Sequence, residues 1–259
     1  MTSGIPDQTL PDFARTALLL DVDGTLIDIA PRPDLVVVPP GLVQTLHTLR
    51  GALDGALAVI SGRPVEQVDL LLDQAPHAVA GEHGGAVRHA PDQPIERPPL
   101  PTPPAEWLAA AERLAQAHRG VLLEHKARGF VVHYRAVPEL GPVLQDAVLE
   151  ILGGSREFAV LAAHMAWEVR PRGTDKGIAV AALMQRAPMH GRIPLFIGDD
   201  VTDEDAIVKA REMGGIGLRV DAAFGSAGDV RAWLADAARR GAWPALPLPG
   251  SAQADHPDG

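Results

Sequence analysis

Two aspartates one residue apart, Asp21 and Asp23, close an apolar run in the stretch Leu-Leu-Leu-Asp-Val-Asp-Gly-Thr-Leu from Leu18 to Leu26. Carboxylates placed this way can serve as a nucleophile, as a general acid and base, or as hard ligands for a cation. Three more polar signatures follow in the chain: Ser61 in Ser-Gly-Arg-Pro, Lys176, and Asp199/Asp200 in Gly-Asp-Asp-Val-Thr-Asp-Glu. Carboxylates with one hydroxyl and one ammonium suit Mg2+, which binds by one or two carboxylates together with waters and a substrate phosphate. Ser61 and Lys176 then supply donors for the remaining phosphoryl oxygens. Read alone, Asp21 to Gly24 has an alternative reading, a strand-end turn in which Asp and Gly only form the loop.

The elements around these residues decide between the two. Leu18 to Leu20 lies in an unbroken apolar run, as do Ala56 to Ile60 and Ile193 to Ile197, which reads as strands buried on both faces of a parallel sheet. Asp21, Ser61 and Asp199 follow the ends of those strands, and Lys176 falls in the first turn of a helix predicted near Asp175. In a doubly wound sheet such ends converge on one edge, whatever their distance in sequence. Gly24 lets the chain turn after Asp23. Thr202 is the expected cap of the helix after Asp200, with Asp203, Glu204 and Asp205 matching its positive start.

The seven prolines between Ala90 and Pro104 mark a connection between units. Beyond it come helices over 105–118 and 139–152 and strands over 121–124, 129–135, 158–161 and 165–169, an inserted α+β unit. The expected organisation is a doubly wound (Rossmann-like) α/β core over 1–83 and 173–243, an insert over 84–172, and a structureless tail over 244–259. Residues 1–14 read as a loosely held lead-in. Trp107 and Phe130 are expected in the core of the insert. His133 and Arg135 share parity on one strand, and Glu168 and Arg170 on another, so polar groups line one face of the insert's sheet. That face either meets a polyhydroxylated ligand or merely meets water.

The 259 residues carry a formal charge of −10 and no cysteine. The charge argues against generic nucleic-acid binding, and no apolar run approaches a membrane span. A reducing cytoplasm is the expected compartment. A small anionic substrate remains compatible with the charge, because a local cluster of bases overrides it.

The four signatures, in this order, resemble those of the haloacid dehalogenase superfamily of phosphotransferases. The resemblance implies in-line attack by Asp21 on phosphorus to form an aspartyl-phosphate, with Asp23 as acid and then base. It implies a Mg2+ held by Asp21, the backbone carbonyl of Asp23 and Asp199. Asp200 is a further metal-site residue; it and Asp203 orient waters or Lys176, although Asp203 equally reads as a helix-capping charge. Within that superfamily, Ser61-Gly-Arg63, Gly81-Glu-His83-Gly, Glu124-x-Lys126, His133-Tyr-Arg135 and Glu168-Val-Arg-Pro are similar to the trehalose-6-phosphate phosphatases. That resemblance implies a cap closing over a phosphorylated disaccharide, with Glu82, Lys126 and Glu168 on its hydroxyls and Arg63 and His83 beside the pocket. Arg128, His133 and Arg135 complete the expected substrate set. Sucrose phosphate, a mannosyl-phosphoglycerate or a hexose phosphate is the alternative ester, and a non-catalytic sugar-phosphate sensor is the alternative class.

Overall fold

The computed structural model describes residues 10–30, 35–163 and 165–247. They fall into two compact units, divided at Glu96/Arg97 and again at Thr174/Asp175.

The first unit is built on a sheet with β1 (Thr16–Leu20) near its centre. β1 runs parallel to β2 (Leu57–Ile60) on one side and to β9 (Ile193–Gly198) on the other. β3 (Ala78–Gly81) lies parallel beyond β2, and β10 (Ile216–Arg219) parallel beyond β9. Every residue of β1, β2 and β3 is buried, as unbroken apolar runs require when helices cover both faces. The helices are α1 (Leu42–Ala52), α2 (Val65–Leu72), α5 (Lys176–Met184), α6 (Glu204–Glu212), the single turn α7 (Val220–Ala223) and α8 (Ala227–Arg240). Leu42, Leu46 and Leu49 form the buried stripe of α1. Ser226 starts α8 by accepting from the Asp229 amide.

The second unit holds α3 (Ala105–Ala117), β5 (Leu122–Lys126), β6 (Gly129–His133), α4 (Gly141–Leu152), β7 (Phe158–Ala163) and β8 (Ala166–Pro171). Its strands form an antiparallel sheet in the order β5-β6-β8-β7. Ala111, Leu144, Val148 and Leu152 of the helices join Phe130, Val132, Phe158 and Val169 of the sheet in one apolar cluster, with Trp107 packed against it. Strand alternation therefore turns Glu124, Lys126, His133, Glu168 and Arg170 to the opposite face.

Four expectations need correction. Residues 84–96 belong to the first unit, because β4 (Ala86–Arg88) pairs antiparallel with β3 and Val87 exchanges backbone hydrogen bonds with Glu96. The three-residue strand was too short to show a period. Residues 10–14 are not loose: Leu10 and Phe13 pack on the core. Nor is the start of the tail. Trp243 stacks on Trp233 with ring centroids 5.0 Å apart and lies 4.5 Å from Phe13, while Trp233 Nε1 donates to the Pro244 carbonyl. Packing of these rings holds residues 10–14 and 243–246 on the core without any periodic pattern. The rest of the expected lead-in and tail, 1–9 and 248–259, lies outside the described residues, as do Pro31 and Pro33. Finally, β6 ends at His133 and the chain turns, Val137 donating to the Tyr134 carbonyl. Arg135 thus lies in that turn and not on the strand face.

Candidate active site

The carboxyl ends of β1 and β9 bring the acidic residues together. Asp21, Asp199 and Asp203 each place a carboxylate oxygen within 4.8 Å of the others. Lys176, first residue of α5, donates from Nζ to Asp21 Oδ1 at 2.6 Å and to Asp203 Oδ1 at 2.5 Å. Asp203 Oδ2 accepts the backbone amides of Asp199 and Asp200, both at 2.9 Å. Both oxygens of Asp203 are therefore committed, which makes it the brace of Lys176 and of the loop after β9. Asp203 thus does both things expected of it: it holds Lys176, and by accepting the Asp200 amide it completes the capping box of the turn Val201–Asp203.

Asp200 lies outside the cluster. Its carboxylate accepts from the Val201 amide and caps the turn Val201–Asp203, the place expected for Thr202. An Asp directly after a buried strand competes well for the free amides of a helix start, and here it wins over Thr202.

The charge balance points to a cation. Three carboxylates surround one ammonium, and the buried Asp199 Oδ1 has no hydrogen-bond partner. Burial, then the charges of Asp203 and Asp200, push Asp199 up to about 7. Burial and then Asp203 also hold Asp21 well above the usual carboxylate range, against the pull of Lys176. Burial alone would lower Lys176, but Asp21 and Asp203 outweigh it and hold the ammonium firmly protonated. Gly24, at φ +81°, is the wall of this cradle: a Cβ there would lie 2.0 Å from Asp199 Oδ2. The oxygen-only donor set of Asp21 and Asp199 fits a hard divalent ion.

Ser61, buried after β2, accepts the Arg63 amide at its Oγ, which leaves the hydroxyl proton for a ligand. Asp23 is gripped by Arg63, Nε to Oδ2 and Nη2 to Oδ1, both at 2.6 Å. Glu82 and His83 sit at left-handed φ of 53° and 54°. Their amides donate to the carbonyls of Arg63 and Ser61, and the His83 ring fills the space a side chain at Gly62 would need. Glu82 Oε1 is buried without a hydrogen-bond partner. Two strained non-glycine residues held by the loop after β2 mark a site where the fold spends stability on positioning.

In the second unit, Lys126 Nζ lies 2.6 Å from Glu124 Oε1, and His133 Nε2 lies 2.8 Å from Glu124 Oε2. Burial would raise Glu124, but the His133 hydrogen bond and the Lys126 charge outweigh it and hold it at about 2. Glu168 is buried on β8. Arg128 donates from Nη1 to the Leu100 carbonyl, tying down the Pro-rich connection. Stability from Glu124 is complete above its unfolded value of 4.5 and fades as pH falls toward about 2. Thermal unfolding of wild type and Glu124→Gln should therefore show a gap at neutral pH that closes on acidification; a gap independent of pH would contradict it.

Two residues that make such contacts, Arg219 and Glu124, were not among the expected site residues. Arg219, at the carboxyl end of β10, donates from Nη2 to the Asp199 carbonyl at 2.8 Å and from Nη1 to Glu204 at 2.8 Å. The rule that strand ends converge would have flagged it. Glu124 was visible as the parity partner of Lys126.

A carboxylate nucleophile candidate at the first strand, a lysine at a helix start and a second acidic strand end define a phosphotransferase of the haloacid dehalogenase type. A solved haloacid dehalogenase-like hydrolase from Bacteroides thetaiotaomicron shares the fold, with a TM-score of 0.58 at 15% identity over 87% of this chain and 98% of its own. The trehalose-phosphatase family model matches residues 19–236, and the chain belongs to that family. It is 37% identical over 237 residues to the trehalose-6-phosphate phosphatase of Escherichia coli (strain K12), covering 85% of this chain and 86% of that one. The C-terminal domain of the C. albicans trehalose-6-phosphate phosphatase superposes with a TM-score of 0.67 at 23% identity, covering 83% of this chain and 81% of its own. Among the described residues, no helix is long and apolar enough to cross a membrane.

Proposed function

We propose that this chain is a Mg2+-dependent phosphatase that hydrolyses trehalose 6-phosphate to trehalose and phosphate, in trehalose biosynthesis. The observation that carries the reading is the buried Lys176 set between Asp21 and Asp203, beside the unpartnered Asp199 Oδ1, in a chain of the trehalose-phosphatase family. Asp21 and Asp199 would hold the ion with the backbone carbonyl of Asp23, and when bound it supplies charge neutralisation for the phosphoryl oxygens. Lys176 occupies Asp21 Oδ1 and leaves Oδ2 to attack phosphorus in line, forming the aspartyl-phosphate as the P–O bond to the sugar breaks. Asp23 protonates the leaving sugar oxygen, then takes a proton from the water that cleaves the acyl phosphate. For that, Arg63 releases one of the two oxygens it grips. Ser61 Oγ–H and Lys176 donate to phosphoryl oxygens. Glu82, Lys126 and Glu168 take sugar hydroxyls, with His83, Arg128, His133 and Arg135 as the further substrate residues. A cysteine-free chain suits the cytoplasm.

A panel of trehalose 6-phosphate, sucrose 6-phosphate, a mannosyl-phosphoglycerate and glucose 6-phosphate, assayed with Mg2+ and with excess chelator, tests the reading. Trehalose 6-phosphate is expected to turn over with a kcat/KM on the order of 100-fold above the others, because each unfilled hydrogen-bonding position costs heavily. Equal turnover of glucose 6-phosphate would refute the substrate. Undiminished turnover with chelator would refute the metal.

A further inference from the structure

The peptide group between Asp199 and Asp200 is held on both edges. Its N–H donates to Asp203 Oδ2 at 2.9 Å, and its carbonyl oxygen accepts from Arg219 Nη2 at 2.8 Å. Gly198, which stands opposite Arg219 in the β9–β10 register, has no space for a side chain: a Cβ there would lie 2.4 Å from Asp203 Cγ. The end of β9 is thus wedged between a carboxylate and a guanidinium that come from different elements. Asp199 is also the residue whose buried Oδ1 has no hydrogen-bond partner. Its side chain hangs from a backbone fixed on both sides, and Oδ1 is left to a cation.

Arg219 is itself aimed. It ends β10, the edge strand beyond β9. Its Nη1 donates to Glu204 Oε1 at 2.8 Å and its Nε to Asp221 Oδ1 at 3.0 Å, with Nη2 lying 3.3 Å from Asp221 Oδ2. Glu204 opens α6 and Asp221 lies in the first turn of α7. A planar guanidinium serves three acceptors at once in a fixed fork, which a lysine ammonium does not. The Glu204 and Asp221 side chains are 46% and 68% exposed, and ion pairs that open to water add little stability. What the two carboxylates do is orient the fork, so that Nη2 points at the Asp199 carbonyl. The guanidinium reaches Asp199 through that carbonyl, so it sets the residue's direction without occupying its carboxylate.

We infer that Arg219 is a positioning residue for the divalent ion: by clamping the carbonyl edge of the 199–200 peptide, it fixes the direction from which the Asp199 carboxylate meets the metal. This rests on the Mg2+ reading above. Asp203 clamps the amide edge of the same peptide but also holds Lys176, so its loss would disturb the whole cluster. Arg219 touches neither Lys176 nor Asp21, and its effect is therefore confined to the Asp199 side of the site. An outer partner of this kind is worth 10- to 100-fold in metal affinity on the order of magnitude.

Calorimetric titration of the chelator-stripped full chain with MgCl2, for wild type, Arg219→Met, Arg219→Gln and Arg219→Lys, tests this without any turnover. Mg2+ is expected to bind at least about tenfold more weakly to Arg219→Met and Arg219→Gln, and Arg219→Lys to recover part of the loss. The Mg2+ concentration that half-saturates turnover should rise by the same factor, while KM for trehalose 6-phosphate at saturating Mg2+ stays within about twofold of wild type. Thermal unfolding of the metal-free variants is expected close to the wild-type temperature. An arginine that merely ties the surface together would lower that temperature and leave Mg2+ affinity alone. Equal Mg2+ affinity in wild type and Arg219→Met would therefore overturn the inference, as would variants that unfold far below wild type or fail to fold. A KM for trehalose 6-phosphate that rises as steeply at saturating Mg2+ would overturn it too, by placing Arg219 on the substrate. Wild type that takes up no Mg2+ would refute the metal reading and the inference with it, whereas wild type that binds beside variants that bind equally refutes the inference alone.

Discussion

Asp21→Asn should lower kcat on trehalose 6-phosphate by on the order of 10⁴-fold or more while the protein stays folded. The amide matches the carboxylate in shape but is no nucleophile, so the aspartyl-phosphate cannot form. Stability should hold because the replaced charge is one the fold buries against two like charges. Burial and the Asp203 carboxylate hold Asp21 above the ordinary range. Lys176 keeps its second partner, Asp203, at 2.5 Å. Steady-state phosphate release paired with thermal unfolding checks both parts. Turnover near the wild-type rate would remove Asp21 from the chemistry.

Lys176→Met should do the reverse and damage the fold itself, costing about 3–5 kcal/mol of stability along with turnover. Removing the ammonium leaves Asp21, 4% exposed, and Asp203, 0% exposed, without their common counter-charge. Asp203 also fixes the amides of Asp199 and Asp200, so the loop after β9 loses its anchor as Asp203 moves or protonates. Both Lys176 side-chain bonds cross long stretches of sequence, to Asp21 and to Asp203, and join three elements at one point. The denaturant midpoint at unchanged slope reads the loss. A midpoint equal to wild type would mean that Lys176 serves only the substrate.

Pairing Asp21→Asn with Lys176→Met separates catalysis from architecture in one cluster. If the two carboxylates and the ammonium act as a unit, the double variant should be more stable than Lys176→Met alone, since one of the stranded charges is gone.

The sequence by itself determined the parallel sheet and which polar residues stand at its edge. Unbroken apolar runs at Leu18–Leu20, Ala56–Ile60 and Ile193–Ile197 can only be strands covered on both faces, and the polar residues after them must then meet. Asp21, Ser61 and Asp199 follow from that alone, and Lys176 from the helix start expected near Asp175. Tertiary structure decided what local pattern cannot encode. The Trp233 bond to the Pro244 carbonyl and the packing of Leu246 overrode an aperiodic tail, and ladder pairing with β3 moved 84–96 into the core. The competition for amides after β9 gave the cap to Asp200 and the brace to Asp203. Arg63 was expected beside the pocket, and its grip on Asp23, 40 residues earlier, has no sequence signal.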